Sequence, residues 1–208
     1  MSDKPPKPYS IALFASDLAQ LLRELDIASA HIVGLSFGGF VGFQLAVDHP
    51  DLVRSLIVVN SAPALPANSF GDRLRIGWTL FVRRLIVRLF GMRTLGRFLS
   101  KKLFPRPDQE VLKQTFVDRW AQNDSGAYLA ALAAVRGWSV EAQLGSIYCP
   151  TCVIFGEWDF VRKALKKDYS AKLPHAELVV IPGSGHFTPL DASQRFNEAV
   201  ISFLEKHE

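Results

Sequence analysis

Three residues in this chain could together perform nucleophilic catalysis: Ser36, Asp159 and His186. A serine hydroxyl attacks a carbonyl carbon only when a base takes its proton, and an imidazole does this near neutral pH. A carboxylate then holds the imidazole in one tautomer and stabilises the imidazolium that forms. Ser36 stands in Gly34-Leu35-Ser36-Phe37-Gly38, the order G-x-S-x-G of a nucleophile elbow. Such a turn strains its central residue, and the small residues Gly34 and Gly38 are expected to supply the room beside it. The same turn aims the amide of Phe37 at developing negative charge. Asp159 closes the loop that begins at Gly156 and competes with Glu157 and Asp191 for the carboxylate role; the turn best presents position 159. His186 sits among glycines in a loop that starts at Pro182. His31, His49, His175 and His207 fall at element ends, in a polar loop or at the terminus, and read as structural or solvated.

Open parallel sheets carry reactive residues just past the carboxyl ends of their strands, and the flanking patterns supply such ends. Apolar runs predict strands at 30–33, 56–59, 152–155 and 178–181. Between and around them, helical spacing recurs from Ile11 to Leu25, over 38–48, over 163–173 and over 193–206. Strand, helix and strand in that order make a parallel unit and an α/β fold. Serine, aspartate and histidine then follow in the chain order expected of a triad on such a sheet.

The middle of the chain departs from this rhythm. Over 64–145 the apolar residues recur at helical spacing, as at Trp78, Phe81, Leu85 and Leu89, and predict a helical cap inserted into a core of 1–63 and 146–208. From Arg73 to Arg106 there are ten basic residues and no acidic one. Such a stretch could rest on an anionic membrane surface or attract an acidic partner. The reading preferred from sequence is the solvated outer face of a lid with an apolar inner face. Arginines interrupt every long apolar run, so no transmembrane segment is expected.

Composition is that of a globular chain: 208 residues, 49% hydrophobic and 21% charged. A net charge of +4 is too mild to argue for nucleic acid. The N-terminus is polar and proline-rich rather than signal-like, and with two cysteines the expected setting is the reducing cytoplasm. Cys149 and Cys152 form a C-x-x-C, read as one loop and one buried strand residue rather than a redox pair, and no zinc-ligand spacing is present.

The segments Gly34 to Gly38, Gly156 to Asp159 and Gly183 to His186 resemble the three signatures of the α/β-hydrolase superfamily, a likeness that runs from Tyr9 onward. The resemblance implies an α/β-hydrolase fold, a mostly parallel sheet with a helical cap. It also implies acyl transfer to water through an acyl-serine, with no cofactor and no metal. Esterase-type cleavage of a small apolar ester is the expected activity, with Leu35, Trp78, Phe81 and Trp158 as substrate-binding candidates. Members of that superfamily begin with several strands ahead of the helix that starts here near Ile11. The N-terminal part of the sheet is therefore expected to be missing, along with a loop that supplies a second oxyanion amide. The strand before Ser36 would then be an apolar edge through which the chain could self-associate. The alternative function is a catalytically weak binding or assembly partner.

Overall fold

Among the described residues the sheet is built from four strands, β1 (Ala30–Leu35), β2 (Val53–Val59), β3 (Thr151–Gly156) and β4 (Ala176–Ile181). The computed structural model describes residues 3–65, 69–160 and 163–208, without the side chains of 163–166. All three strand pairs are parallel and the order is β1-β2-β3-β4, with Ile57 beside both Val33 and Cys152. Each strand is longer than its sequence pattern predicts, because the ladders extend into flanking residues such as Gly34, Leu35, Thr151 and Glu177. Among the described residues β1 has a neighbour on one side only, and Val33 there is 48% exposed.

Helices make up much of the rest of the described chain. In chain order they are α1 (Ile11–Glu24), α2 (Phe37–Asp48), α3 (Phe70–Leu103), α4 (Glu110–Trp120), α5 (Ser125–Ala134), α6 (Lys163–Ser170), α7 (Thr188–Asp191) and α8 (Ser193–Glu205). Strands buried on both faces need apolar residues at successive positions, and β2 meets this with Leu56, Ile57, Val58 and Val59, all fully buried. Leu56 and Val58 join Val153, Phe43, Leu45 and Tyr169 on one face. Ile57 and Val59 join Cys152, Ile154, Ile181, Phe196 and Phe203 on the other. The buried side of α1 is Ile11, Ala15, Ala19 and Leu22, whereas Leu21 and Leu25 are exposed. Small alanines let α1 and α2 approach closely, so the large residues of the apolar periodicity are not all core.

The chain divides into two units, one of Ile11–Ala64 with Gly137–Glu208 and the other of the segment up to Ser10 with Leu65–Arg136. The sequence places the start of the insertion near residue 64 and its end at 145; residues 66–68 lie outside the described residues. From Gly137 onward the chain packs with the sheet, through Val140, Leu144 and Ile147. In the helical unit α3 is broken at Gly91, whose φ of 76° a side-chain-bearing residue rarely adopts. Beyond the break, Leu95, Leu99, Leu103, Phe104, Phe116 and Val117 are buried, with Phe104 and Phe116 edge to face. Among the described residues no helix is long and apolar enough to cross a membrane.

Candidate active site

The turn between β1 and α2 puts Ser36 at φ 53° and ψ −111°, a conformation that costs a non-glycine residue about 1–3 kcal/mol. Three hydrogen bonds hold it there. Ser36 N donates to Val59 O at 2.8 Å, and Ser36 O accepts from Gly39 N at 3.0 Å and from Ser61 Oγ at 2.7 Å. The turn tolerates no side chain at position 34: a Cβ would lie 2.6 Å from the Gly38 carbonyl carbon and 2.7 Å from Gly39 N. Position 38 is different, because a Cβ there would meet nothing within 4 Å. The second glycine that packing requires is Gly39, where a Cβ would lie 2.5 Å from Ser61 Cβ. The expectation that Gly34 and Gly38 both supply room is thus corrected at one position, because Gly38 faces outward from the turn and Gly39 faces the end of β2.

His186 lies between the other two residues. Its Nε2 is 2.9 Å from Ser36 Oγ and its Nδ1 is 2.7 Å from Asp159 Oδ1. The Asp159 side chain is wholly buried and that of His186 nearly so. An acceptor carboxylate at Nδ1 places the proton on that nitrogen, which leaves Nε2 to accept from the serine hydroxyl. Phe160 stacks on the imidazole at a centroid distance of 4.2 Å, shielding it from water on that side.

The competing carboxylates support the loops. Glu157 Oε2 accepts from Gly183 N at 3.0 Å, while Asp191 accepts from Ser184 Oγ at 2.6 Å and Gly185 N at 2.7 Å. The remaining histidines lie elsewhere: His31 Nδ1 is 2.7 Å from Ser55 Oγ, His49 is beside Arg23, His207 packs on Phe203, and the His175 carbonyl accepts from Thr151. Among the described residues no group of three or more His, Cys, Asp or Glu is placed to hold a metal ion. Cys149 and Cys152 are free thiols, and burial pushes Cys152 up to about 12, which makes it inert.

Phe37 opens α2, so its N–H is one of the helix's unsatisfied first donors. Its ring packs edge to face on Phe14 at 5.3 Å and lies 6.1 Å from Phe40. Of the expected substrate-binding residues, Leu35 turns away into the core around Ile57 and Phe196. Leu35 is a strand residue and its side chain follows the pleat. Trp158 is exposed, with its backbone N–H donating to Ser184 O at 2.9 Å. Trp78 and Phe81 belong to the helical unit, with ring centroids 5.8 Å apart.

Three supporting residues carry no sequence motif. Asn60, at φ 47° and buried, accepts from Gly156 N through Oδ1 and donates through Nδ2 to His186 O and Thr188 Oγ1, both at 2.7 Å. Tyr169 donates its hydroxyl to Ser61 O at 3.0 Å; burial, with the nearby Asp159 charge, holds this phenol protonated well above its ordinary range. Ser61 joins that tyrosine to the Ser36 carbonyl. A polar residue directly after a buried strand was the only local signal for Asn60 and Ser61.

A family model described as alpha/beta hydrolase fold matches residues 1–193. RutD of Serratia proteamaculans, a protein named for carbamate hydrolysis, is 30% identical over 209 residues, covering 97% of this chain and 75% of the relative. The pimeloyl-[acyl-carrier protein] methyl ester esterase of Yersinia enterocolitica is 26% identical over 94% of this chain and 77% of its own. Among solved structures, a hydrolase from Pseudomonas aeruginosa PA01 superposes with a TM-score of 0.84 at 27% identity, covering 96% of this chain and 74% of that one. The enol-lactonase of Burkholderia xenovorans LB400 reaches 0.86 at 23% identity, over 98% of this chain and 75% of that one, and speaks to the fold alone.

Proposed function

Since this chain belongs to the α/β-hydrolase family, we propose that it is a serine hydrolase of the esterase type, cleaving a small, largely apolar ester through an acyl-serine intermediate. One observation carries the reading: His186 bridges Ser36 Oγ and Asp159 Oδ1 at 2.9 and 2.7 Å.

In this mechanism Ser36 Oγ attacks the ester carbonyl as its proton passes to His186 Nε2. Asp159 keeps Nδ1 protonated and stabilises the imidazolium. The Phe37 N–H donates to the oxyanion of the tetrahedral intermediate. The intermediate collapses by expelling the alcohol, which takes the proton from Nε2. Water then gives a proton to Nε2 as it attacks the acyl-serine, and the second tetrahedral intermediate expels Ser36 Oγ, which takes that proton back as the acid leaves. An apolar substrate is favoured by the aromatic surroundings of the site, with Phe160 on the imidazole and Phe37 between Phe14 and Phe40.

Labelling with a fluorophosphonate and turnover of p-nitrophenyl acyl esters test the proposal. Both are expected in the native chain and lost in Ser36→Ala, and a folded protein that neither labels nor turns over would reject it. The half-exposed Val33 on edge strand β1 favours a second reading, a catalytically weak partner in an assembly. Ester turnover at rates normal for esterases, from a monomer in light scattering, would exclude that role.

A further inference from the structure

The helical unit presents a face that hydrolysis does not use. Over its first part α3 places Phe70, Leu74, Trp78, Phe81, Leu85 and Leu89 at intervals of three and four residues, on one side of the helix. Exposure runs from 43% at Leu85 to 77% at Phe70, so the row is uncovered. At 1.5 Å per residue the row is roughly 30 Å long, and an apolar patch of that length marks an interaction surface.

Charge and shape narrow the partner. Arg73 to Arg106 holds ten basic residues and no acidic one. A second copy would bring the same charge to the contact, which disfavours pairing through this face. Beside the row, between α3 and α5, lies a groove of about 520 Å³ with Leu80, Phe81, Leu129 and Leu132 in its lining. Arg84, Arg88 and Arg136 line it too, and none of them has an ion-pair partner among the described residues. An apolar slot edged by guanidinium groups matches an acyl chain that ends in an anionic headgroup.

We propose that this face of the helical unit docks on an anionic lipid bilayer. Helix α3 lies in the plane of the surface, Phe70, Trp78 and Phe81 enter the headgroup boundary, and Arg84, Arg88 and Arg136 meet lipid phosphates. Docking is independent of the chemistry at Ser36.

Co-sedimentation of the chain with vesicles tests it, using phosphatidylcholine alone or mixed with phosphatidylglycerol. Binding is expected to the mixed vesicles only, falling at least tenfold in about 1 M salt, where the Debye length is about 3 Å. Arg84→Gln and Arg88→Gln should each weaken it about fivefold, in line with the contribution of one basic residue at an anionic surface. Phe81→Glu with Trp78→Glu should abolish it while the thermal melt stays cooperative, since both side chains are exposed. The proposal is overturned by no binding to mixed vesicles, by equal binding to phosphatidylcholine alone, or by undiminished binding of the folded double variant. A light-scattering dimer that the Phe81→Glu and Trp78→Glu changes dissociate would overturn it as well, by assigning the face to a second copy.

Discussion

Replacing Gly34 with alanine asks whether the elbow is held by main-chain contact. The new Cβ would stand 2.6 Å from Gly38 C and 2.7 Å from Gly39 N, and nearer still to Gly38 O. These are backbone atoms in the first turn of α2, tied by the Gly39 N to Ser36 O bond, so no side-chain rotation relieves the clash. Ordinary contact begins near 3.4 Å, so α2 must withdraw from β1 by about 1 Å. Overpacking of this kind costs about 1–3 kcal/mol. Ser36 moves with the turn, and a misplacement of about 1 Å at a reacting group costs on the order of 100-fold in rate. Gly38→Ala is the control: its Cβ meets nothing within 4 Å, and alanine in a helix is worth about 0.5–1 kcal/mol over glycine. Gly39→Ala should resemble Gly34→Ala, because Ser61 Cβ lies 2.5 Å from the added carbon. Urea midpoints and the rate of fluorophosphonate labelling at Ser36 measure the two effects. The reasoning fails if Gly34→Ala labels at the native rate, or if Gly38→Ala loses as much as Gly34→Ala.

Asn60→Asp exchanges the Nδ2 donor for an acceptor facing the carbonyls of Gly185 and His186. It should lower stability by about 3 kcal/mol and slow labelling at Ser36; an unchanged melting temperature would contradict the role given to Asn60. In the alkaline range, burial first and the Glu177 charge second push the Cys152 thiol up from 9.0 to about 12, against a small opposing effect of Lys206. The unfolded chain loses that proton near pH 9 while the folded chain keeps it. Stability is therefore complete below pH 9 and falls above it, by up to about 1.4 kcal/mol per pH unit, until the folded thiol ionises near 12. Urea midpoints across that range should decline, less steeply in Cys152→Ala, and a flat profile above pH 9 would refute the assignment.

What the sequence makes legible follows from the range of the forces involved. Strands buried on both faces must be apolar at successive residues, so β2 and β3 announce themselves, and the elbow is a local turn with a local pattern. Choosing Asp159 over Glu157 and Asp191 needs only the position of the turn, and the buried bond to His186 lies there. The glycine requirement at 39 is not local: its cause is Ser61, on a different strand end. Phe160 and Tyr169 likewise acquire their places only when separate loops meet, and an isolated aromatic residue gives no sign of which ring it will face. The exposed row on α3 has clear periodicity, but periodicity identifies a face without saying what covers it.

Residues 59–61, at the end of β2, explain why a strained serine persists. Val59 through its carbonyl and Ser61 through its hydroxyl contribute two of the three hydrogen bonds to the Ser36 backbone that offset the cost of its conformation. Between Val59 and Ser61, Asn60 binds Gly156 N, at the root of the loop carrying Asp159, and the carbonyl of His186 itself. Ser61 O then takes the hydroxyl of Tyr169 in α6, the helix that follows the Asp159 loop. Each of the three loops that meet at the site is thus anchored to the same three residues, 59–61. A change at Asn60 or Ser61 therefore displaces serine, histidine and aspartate together. Substitutions at these positions should couple strongly to those at Ser36 and His186 in double-mutant cycles rather than add to them.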